Sequence, residues 1–327
     1  MRIGLTFDLR NPEPWYVPWP EHYGRTLDVI AEADRLGLDI VKLTEHHLIP
    51  DGYIPQPLVF MSAIAAMTRQ IRVSTGVLIA PLHSAVEIAE QAAVVDCISG
   101  GRVELALGTG YRKPEYDLYG VDFSRRLAIL GERVDQIRDL WSRDGGTTPR
   151  PVQDEIPLWA GVRGPRASRL AGRLGMARLH LEPENWDEYL AGIADGGRPT
   201  TAARFGGSLH AFLAEDPERT TALIADRIAY HRNAYAQAAI EGTGATGVAD
   251  APAVSRPGLS SAVRVATPEQ VVEMLNELAG DRTVDTIYIH GTIAGVVDEL
   301  VYENVKLAAN RLKPLLAAES PAPQPTP

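Results

Sequence analysis

The most constraining feature of this 327-residue sequence is a regular alternation of short apolar runs and helical patterns. Each run is rich in β-branched or apolar residues, and the segment after it repeats apolar residues with a helical period. Strict strand–helix alternation predicts a parallel sheet. The eight predicted strands cover residues 3–9, 38–44, 71–79, 103–108, 156–161, 177–181, 207–213 and 285–290. Eight repeats favour a closed (β/α)₈ TIM barrel, and periodicity alone leaves an open doubly wound sheet as the alternative.

The predicted helices have recognisable ends. A helix over 22–36 stops before Gly37, and glycine commonly follows the last helical residue. Asp216 and Thr267 each precede a proline, which is typical of a helix N-terminus. Gln270 stands three residues after Thr267 and completes a predicted capping box. The other predicted helices in the first half are 58–68, 85–98 and 125–141.

Composition narrows the class of protein. Hydrophobic residues make up 45% of the chain, which is enough for a large core. The formal net charge is −10, with 32 basic against 42 acidic residues, so nucleic acid is not an expected partner. Cys97 is the one cysteine, which excludes a disulfide framework. No apolar run is long enough to span a membrane and no targeting segment is recognisable, so we expect a cytoplasmic protein.

We expect one domain over residues 1–317. Within it, residues 240–262 are rich in Gly, Ala, Ser and Pro without periodicity. Such a segment is typical of a flexible insertion, which is either a mobile lid or simply disordered. The proline-rich tail 318–327 is predicted to be disordered.

Unusual polar residues fall where predicted strands end, and barrel enzymes place their chemistry there. The second strand ends in Glu45, His46 and His47. Adjacent strand residues point to opposite faces, so one histidine can enter the barrel mouth while the other packs. A catalytic or cofactor-contacting histidine is favoured over a purely structural one. Metal binding is disfavoured, because adjacent histidines do not converge on one ion.

Two glycine-bearing loops are candidate cofactor sites. Gly108-Thr109-Gly110-Tyr111 ends the fourth strand and lacks the third glycine of a dinucleotide fingerprint. Its glycines allow a flat ring or a phosphate to approach the backbone, or simply form a tight turn.

The second loop, residues 161–168, opens a predicted helix whose N-terminus favours an anion. Gly164 gives the backbone freedom, and Arg163, Arg166 and Ser168 offer donors to a phosphate. The alternative is that these arginines are merely solvated.

Aromatic residues indicate where a substrate could bind. Trp15, Tyr16, Trp19 and Tyr53 follow the first and second strands and predict an aromatic-lined mouth for a flat or apolar ligand. The alternative is that they anchor their loops.

Helices 58–68 and 85–98 carry more apolar surface than one barrel wall obviously needs, which predicts a homodimer. Packing against the barrel is the alternative. These apolar residues are Met61, Ile64, Met67, Val86, Val94 and Val95.

Three stretches resemble the luciferase-like flavin monooxygenase family: LTEHHLIPDGY at 43–53, LIAPLHSAVEIAEQAAVVDCISGGRVELALGTGY at 78–111, and TPEQVVEML at 267–275. The resemblance covers roughly residues 1–315. It implies a (β/α)₈ barrel with flavin at its C-terminal mouth, often assembled as a dimer through its second and third helices. It also implies that His46 is the acid/base near the flavin and that Thr75-Gly76 is a non-proline cis peptide against the ring. Residues 108–111 would line the flavin and 161–168 would hold its phosphate.

The resemblance further implies a function. Reduced FMN, supplied by a separate flavin reductase, would react with dioxygen to give a C4a-hydroperoxide that oxygenates a small organic substrate, such as an aromatic or polyketide-like molecule. Many members have arginine where this chain has Thr109, and Arg112, Arg163 or Arg166 could replace it at the phosphate. The short linker 142–155 argues against luciferase itself.

Two alternatives stay open. Deazaflavin-dependent hydride-transfer enzymes share the fold, but they tend to have Ser-Asp-His where this chain has Thr44-Glu45-His46. The second alternative is a catalytically inactive protein that binds flavin.

Overall fold

The strand–helix alternation forms a closed parallel barrel in the computed structural model, which describes residues 1–243 and 263–319. Neighbouring strands pair in parallel around the ring, and the pairing of β3 with β5 closes it. The barrel is therefore closed, as eight repeats favoured, and the open sheet is excluded. The barrel strands are β1 (Arg2–Phe7), β2 (Ile40–Leu43), β3 (Arg72–Thr75) with β4 (Leu78–Ile79), β5 (Val103–Gly108), β6 (Leu158–Gly161), β7 (Ala177–Leu179), β8 (Phe205–Ser208) and β11 (Thr286–His290).

Two predicted strands are interrupted. The predicted strand 71–79 divides into β3 and β4 at a cis peptide bond between Gly76 and Val77. The predicted strand 207–213 divides into β8 and a separate strand, β9 (Ala211–Leu213), which pairs outside the barrel with β10 (Arg264–Ala266). The sequence did not predict β10, because a three-residue strand is too short to show an alternating pattern.

Helices separate the strands and cover the barrel. Asp216 accepts a hydrogen bond from the Arg219 N–H, and Thr267 and Gln270 form a reciprocal capping box, so both predicted caps are confirmed. The helices are α1 (Trp19–Arg35), α2 (Pro57–Met67), α3 (Ala85–Ser99), α4 (Lys113–Tyr119), α5 (Arg126–Trp141), α6 (Pro165–Arg173), α7 (Trp186–Asp195), α8 (Pro217–Leu223), α9 (Ala225–Thr243), α10 (Pro268–Ala279), α11 (Asp298–Leu307) and α12 (Lys313–Glu319).

The barrel interior is closed at its N-terminal end and open at the other. Glu104 accepts hydrogen bonds from Arg2, Arg72 and the Trp159 indole, which fills the lower end with paired charges. An apolar layer lies above, made of Ile40, Ala106, Trp159, Ala177, Leu179 and Tyr288. The space above that layer, at the carboxyl ends of the strands, is where a ligand can enter.

The apolar residues of α2 and α3 divide into two sets. Met61, Ile64 and Val95 are buried in the core, so half of the predicted dimer surface packs against the barrel. The exposed set is Val59, Met67, Val86, Val94 and Ile98.

The two segments expected to be flexible fall mostly outside the described residues. Residues 240–243 of the predicted insertion complete α9, and 244–262 lie outside. Residues 318–319 of the predicted tail end α12, and 320–327 lie outside. Within the described ranges, we find no helix with the length and apolar character needed to cross a membrane.

Candidate active site

A cavity of about 240 Å³ opens at the C-terminal end of the barrel. This volume is several times the roughly 30 Å³ that a water molecule occupies, so the cavity can admit an organic ligand. Its walls come from β1, β2, the β3–β4 connection, the loop after β5, β8, β11 and α9.

His46 faces this cavity from the end of β2. Its Nδ1 lies 2.8 Å from Oε1 of Glu115 on α4. Its Nε2 lies 3.2 Å from the hydroxyl of Tyr111, in the loop after β5. His46 is thus held between an acid and a phenol, with its ring against the cavity.

The partners of His46 fix where its proton lies. Burial opposes ionisation of Glu115, but the hydrogen bond from His46 holds the pKa of its carboxyl below the ordinary value. An ionised carboxylate only accepts, so Nδ1 of His46 carries a proton. Burial raises the pKa of Tyr111, which keeps its phenol protonated. Nε2 is therefore the atom of His46 that can take up or release a proton.

His47 packs behind the strand, as the alternation of strand side chains predicted for one of the two histidines. Its Nε2 donates to Oε1 of Glu45 at 2.8 Å, and Nε2 of His83 donates to the same oxygen at 2.7 Å. The Ile79 N–H donates to the other oxygen at 2.5 Å. Burial opposes ionisation of Glu45, but these donors hold the pKa of its carboxyl below the ordinary value.

The cluster of Glu45, His47 and His83 contains residue types that bind transition metals, and its ligand atoms lie within 4.8 Å of one another. In this arrangement both imidazoles donate hydrogen bonds from Nε2 to Glu45, so the carboxylate already has hydrogen-bond partners. A metal would have to replace both hydrogen bonds. The expectation of no metal site therefore stays a prediction.

The predicted flavin-lining residues divide between the cavity wall and its support. Gly76, Gly110 and Tyr111 line the cavity. Thr75 is fully buried, and its hydroxyl hydrogen-bonds the backbone of Ala106.

Gly108 and Thr109 also stand behind the wall. A Cβ on Gly108 would lie 2.6 Å from Val77, so this glycine makes room for a residue that itself lines the cavity. The carbonyl of Thr109 accepts from the Tyr116 hydroxyl. The cis bond implied at Thr75-Gly76 lies one residue later, between Gly76 and Val77, which corrects the position taken from the resemblance.

The predicted phosphate loop stands at the start of α6 and does not line the cavity. Gly164 precedes the helix with φ +88° and offers no side-chain cap, so the first helical N–H groups are uncapped. Arg163 and Arg166 are exposed, and Ser168 is buried. Arg112 is not available to a phosphate, because it is buried and bonds the His47 carbonyl, Glu115 and Glu241.

Only Tyr53 among the predicted substrate-contacting aromatics lines the cavity, with its ring centroid 4.7 Å from that of His46. The others pack in the first loop and helix. Trp15 packs edge-on against Tyr230, Trp19 packs beside Tyr16 and Tyr23, and Tyr16 is exposed.

Several residues of the site were not predicted from the sequence. Glu115 lies 69 residues after His46, and no pattern links the two. His231 and Tyr235 reach the cavity from α9, a helix whose role at the mouth shows no sequence signal. Lys42, Ser208 and His210 also line the cavity without having been predicted.

A closed barrel with a buried acid–histidine pair at its C-terminal mouth has the organisation of a barrel enzyme. The family model for luciferase-like monooxygenases matches residues 1–309, and the chain belongs to this family.

Curated relatives within the family use different cofactors. The chain is 26% identical over 187 residues to the oxygenase component of a flavin-dependent trigonelline monooxygenase from Acinetobacter baylyi, a match covering 51% of this chain and 52% of that protein. It is 30% identical over 188 residues to an F420-dependent glucose-6-phosphate dehydrogenase from Kineococcus radiotolerans, covering 51% and 55%. The chain thus spans about half the length of either relative.

Among solved structures, monooxygenase RslO1 from Streptomyces bottropensis superposes with a TM-score of 0.80. The match covers 97% of this chain and 100% of that one at 22% identity, a likeness that shows the shared fold.

Proposed function

We propose that this protein is the oxygenase component of a two-component flavin monooxygenase, which uses reduced FMN and dioxygen to oxygenate a small organic molecule. The observation that carries the proposal is His46, whose Nε2 faces the cavity while its Nδ1 is fixed on Glu115. This arrangement gives the barrel mouth a positioned acid/base.

The residues present fit FMN at two places. Val77 and Ile79 give the cavity an apolar wall beside Gly76, which suits a flat aromatic ring. The uncapped start of α6, with Arg163 and Arg166 nearby, offers N–H groups and positive charge that suit a phosphate. When bound, reduced flavin would supply the electrons that activate dioxygen.

The chain's own residues have separate tasks in this proposal. His46 holds or releases a proton at Nε2, and Tyr111 keeps that atom oriented by a hydrogen bond. Glu115 fixes the tautomer from behind. The apolar walls and the tyrosines of the mouth exclude water, which protects a reactive oxygen species from side reactions.

The proposed partners follow from a two-component reaction. A flavin reductase delivers reduced FMN in a transient encounter, and dioxygen is the co-substrate. The exposed apolar set on α2 and α3 supports a homodimer. Tyr53 and Tyr111, both on the cavity wall, favour an aromatic substrate.

A deazaflavin-dependent hydride transfer is the second candidate, because the chain also matches F420-dependent dehydrogenases. The two candidates differ in cofactor and in the need for oxygen. Binding of FMN and of F420, each measured by fluorescence, separates them first. The protein is then mixed with reduced FMN in air and screened against aromatic compounds by mass spectrometry. The proposal expects FMN to bind more tightly and a product to gain one oxygen atom.

The matched variants His46→Ala and His47→Ala test the role of the site. His46→Ala should lower the product formed per reduced FMN by about 10²–10⁴-fold while peroxide release rises, since that is the usual contribution of a positioned acid/base. His47→Ala should act mainly on stability, because its ring packs behind the strand against Glu45. An unchanged product yield in His46→Ala refutes the assigned role. Tight F420 binding with hydride transfer and no oxygenation overturns the proposed function in favour of the second candidate.

A further inference from the structure

The side chain of Lys42 crosses the upper part of the barrel interior. Lys42 is only 3% exposed to solvent. A Cβ on Gly76 would overlap Cγ and Cδ of Lys42, so the glycine at the cis bond makes room for this side chain. Its Nζ donates at 2.7 Å to Oγ of Ser208 on β8, three strands away around the barrel, and lies 4.2 Å from the centroid of the Tyr288 ring.

Among the described residues, the Lys42 amine has no acidic partner. In the described part of the chain, no carboxylate forms an ion pair with Lys42. Glu45 also lines the cavity, but its oxygens are occupied by His47, His83 and the Ile79 N–H. A buried ammonium group without a counter-charge is strongly disfavoured, so this amine is poised to gain one.

Three polar side chains beside the amine also face the cavity. Thr6 pairs with Lys42 on one side and with His290 on the other, so the three side chains lie in one row of the barrel wall. Oγ1 of Thr6 is buried and has no hydrogen-bond partner among the described residues. Lys42, Thr6, Ser208 and His290 all line the cavity. This row therefore offers unused donors on the side where a ligand would lie.

We propose that Lys42, Ser208 and Thr6 form a subsite for an oxyanion of the substrate, and that the substrate is therefore an organic acid whose carboxylate enters the barrel. The inference rests on the proposed function in one respect, since it takes the part of the cavity around Lys42 to hold the substrate while the wall at Val77 and Ile79 holds the flavin ring. It adds the chemical class of the substrate, which neither the family nor His46 specifies.

The ionisable groups around the Lys42 amine stay neutral over the pH range in which the amine itself titrates. Burial lowers the pKa of Lys42 to about 7. His180, His210 and His290 act on it electrostatically, and burial lowers the pKa of His180 to about 3 and that of His290 well below its ordinary value. Burial also lowers the pKa of His210 to about 4, so all three imidazoles are neutral above pH 7. Burial raises the pKa of Tyr288, so it also stays neutral. Between pH 7 and 8.5, Lys42 is thus the group near the subsite that changes charge.

Binding of benzoate and of its neutral analogue benzamide tests the subsite. The chain has four lysines, so ¹³Cε-lysine labelling gives four resonances, and Lys42→Met identifies the one of interest. We expect this resonance to titrate near pH 7 and its midpoint to rise when benzoate is added. Benzoate should bind at least about tenfold more tightly than benzamide at pH 7 and weaken by about tenfold by pH 8.5, because the amine must be charged. Lys42→Met should abolish the preference, and Lys306→Met, on the exposed face of α11, should retain it.

Three results would overturn the subsite. The first is equal binding of benzoate and benzamide. The second is a Lys42 resonance that does not respond to benzoate, which the unmodified protein reports even if the variant misfolds. The third is a Lys42→Met protein that loses FMN affinity but keeps benzoate selectivity, which would place the amine under the cofactor. The measurement needs neither flavin nor dioxygen. A protein that binds benzoate selectively but oxygenates no compound with reduced FMN would therefore count against the proposed function alone.

Discussion

Replacing Lys42 with methionine should stabilise the fold, and by more at low pH. Methionine has a similar length, so it can keep the contact with Gly76 and remove only the amine. In the unfolded chain the amine is protonated up to its ordinary pKa of 10.5, whereas burial lowers the pKa to about 7 in the folded protein. The folded state therefore gains stability as pH rises from 7 to 10.5. Below pH 7 the amine is protonated in the folded protein as well, and the full cost of burying its charge destabilises the fold.

The size of the effect follows from the two pKa values. A difference of 3.5 pKa units corresponds to a penalty of about 5 kcal/mol at pH 6, which falls to about 2 kcal/mol at pH 9. Loss of the hydrogen bond to Ser208 offsets about 1 kcal/mol of the gain at every pH. Lys42→Met should thus be more stable than the natural chain by about 4 kcal/mol at pH 6 and by about 1 kcal/mol at pH 9.

Urea unfolding of both proteins at pH 6, 7.5 and 9 measures this difference. Contributions of all other titrating groups largely cancel when the two proteins are compared at the same pH. Lys306→Met is the matched control and should show no dependence on pH in this range, because its amine is exposed. A stability difference between Lys42→Met and the natural chain that stays constant from pH 6 to 9 would refute the reasoning.

Two further predictions concern the cofactor and the assembly. Arg163→Ala combined with Arg166→Ala should weaken FMN by about tenfold or more while leaving riboflavin almost unchanged, because a phosphate gains charge-assisted hydrogen bonds. Titration of the protein with each flavin measures the two affinities. The control is Arg169→Ala, at an exposed arginine of α6 that pairs with Asp195. Equal weakening of FMN and riboflavin binding refutes the phosphate assignment. Val94→Glu should turn a dimer into monomers in sedimentation equilibrium, whereas Glu at the exposed Leu223 on α8 should not. A natural chain that sediments as a 35.5 kDa species at micromolar concentration contradicts the dimer.

The sequence determined the architecture because each repeat carries its own signal. A strand is visible as a short apolar run and a helix as a period, and both depend on residues close in the chain. Helix caps such as Thr267 and Gln270 are local for the same reason, and the structure confirms them. The pattern of apolar residues gave no signal for the interruption at Gly76–Val77, because it is the same whether or not the strand is continuous. Only the resemblance implied a cis bond here, and it placed the bond one residue too early.

Part of the candidate site was also predictable. His46 was singled out because it ends a strand, and the ends of parallel strands meet at one mouth. The aromatic residues show the limit of this argument. Trp15, Tyr16 and Tyr53 all lie near strand ends, yet only Tyr53 lines the cavity. Where a loop residue points depends on how the loop packs, and no period in the sequence records that.

Only the tertiary structure decided which residues act together. Glu115 meets His46 because α4 folds back over the end of β2, and Lys42 meets Ser208 across 166 residues because the barrel closes. Such pairs depend on strand register and on closure of the ring, which bring together side chains from opposite walls. In the sequence, Lys42 is one polar residue in an apolar strand. Inside the closed barrel it is a buried amine without a counter-charge, because the walls around it exclude water and present no free carboxylate among the described residues.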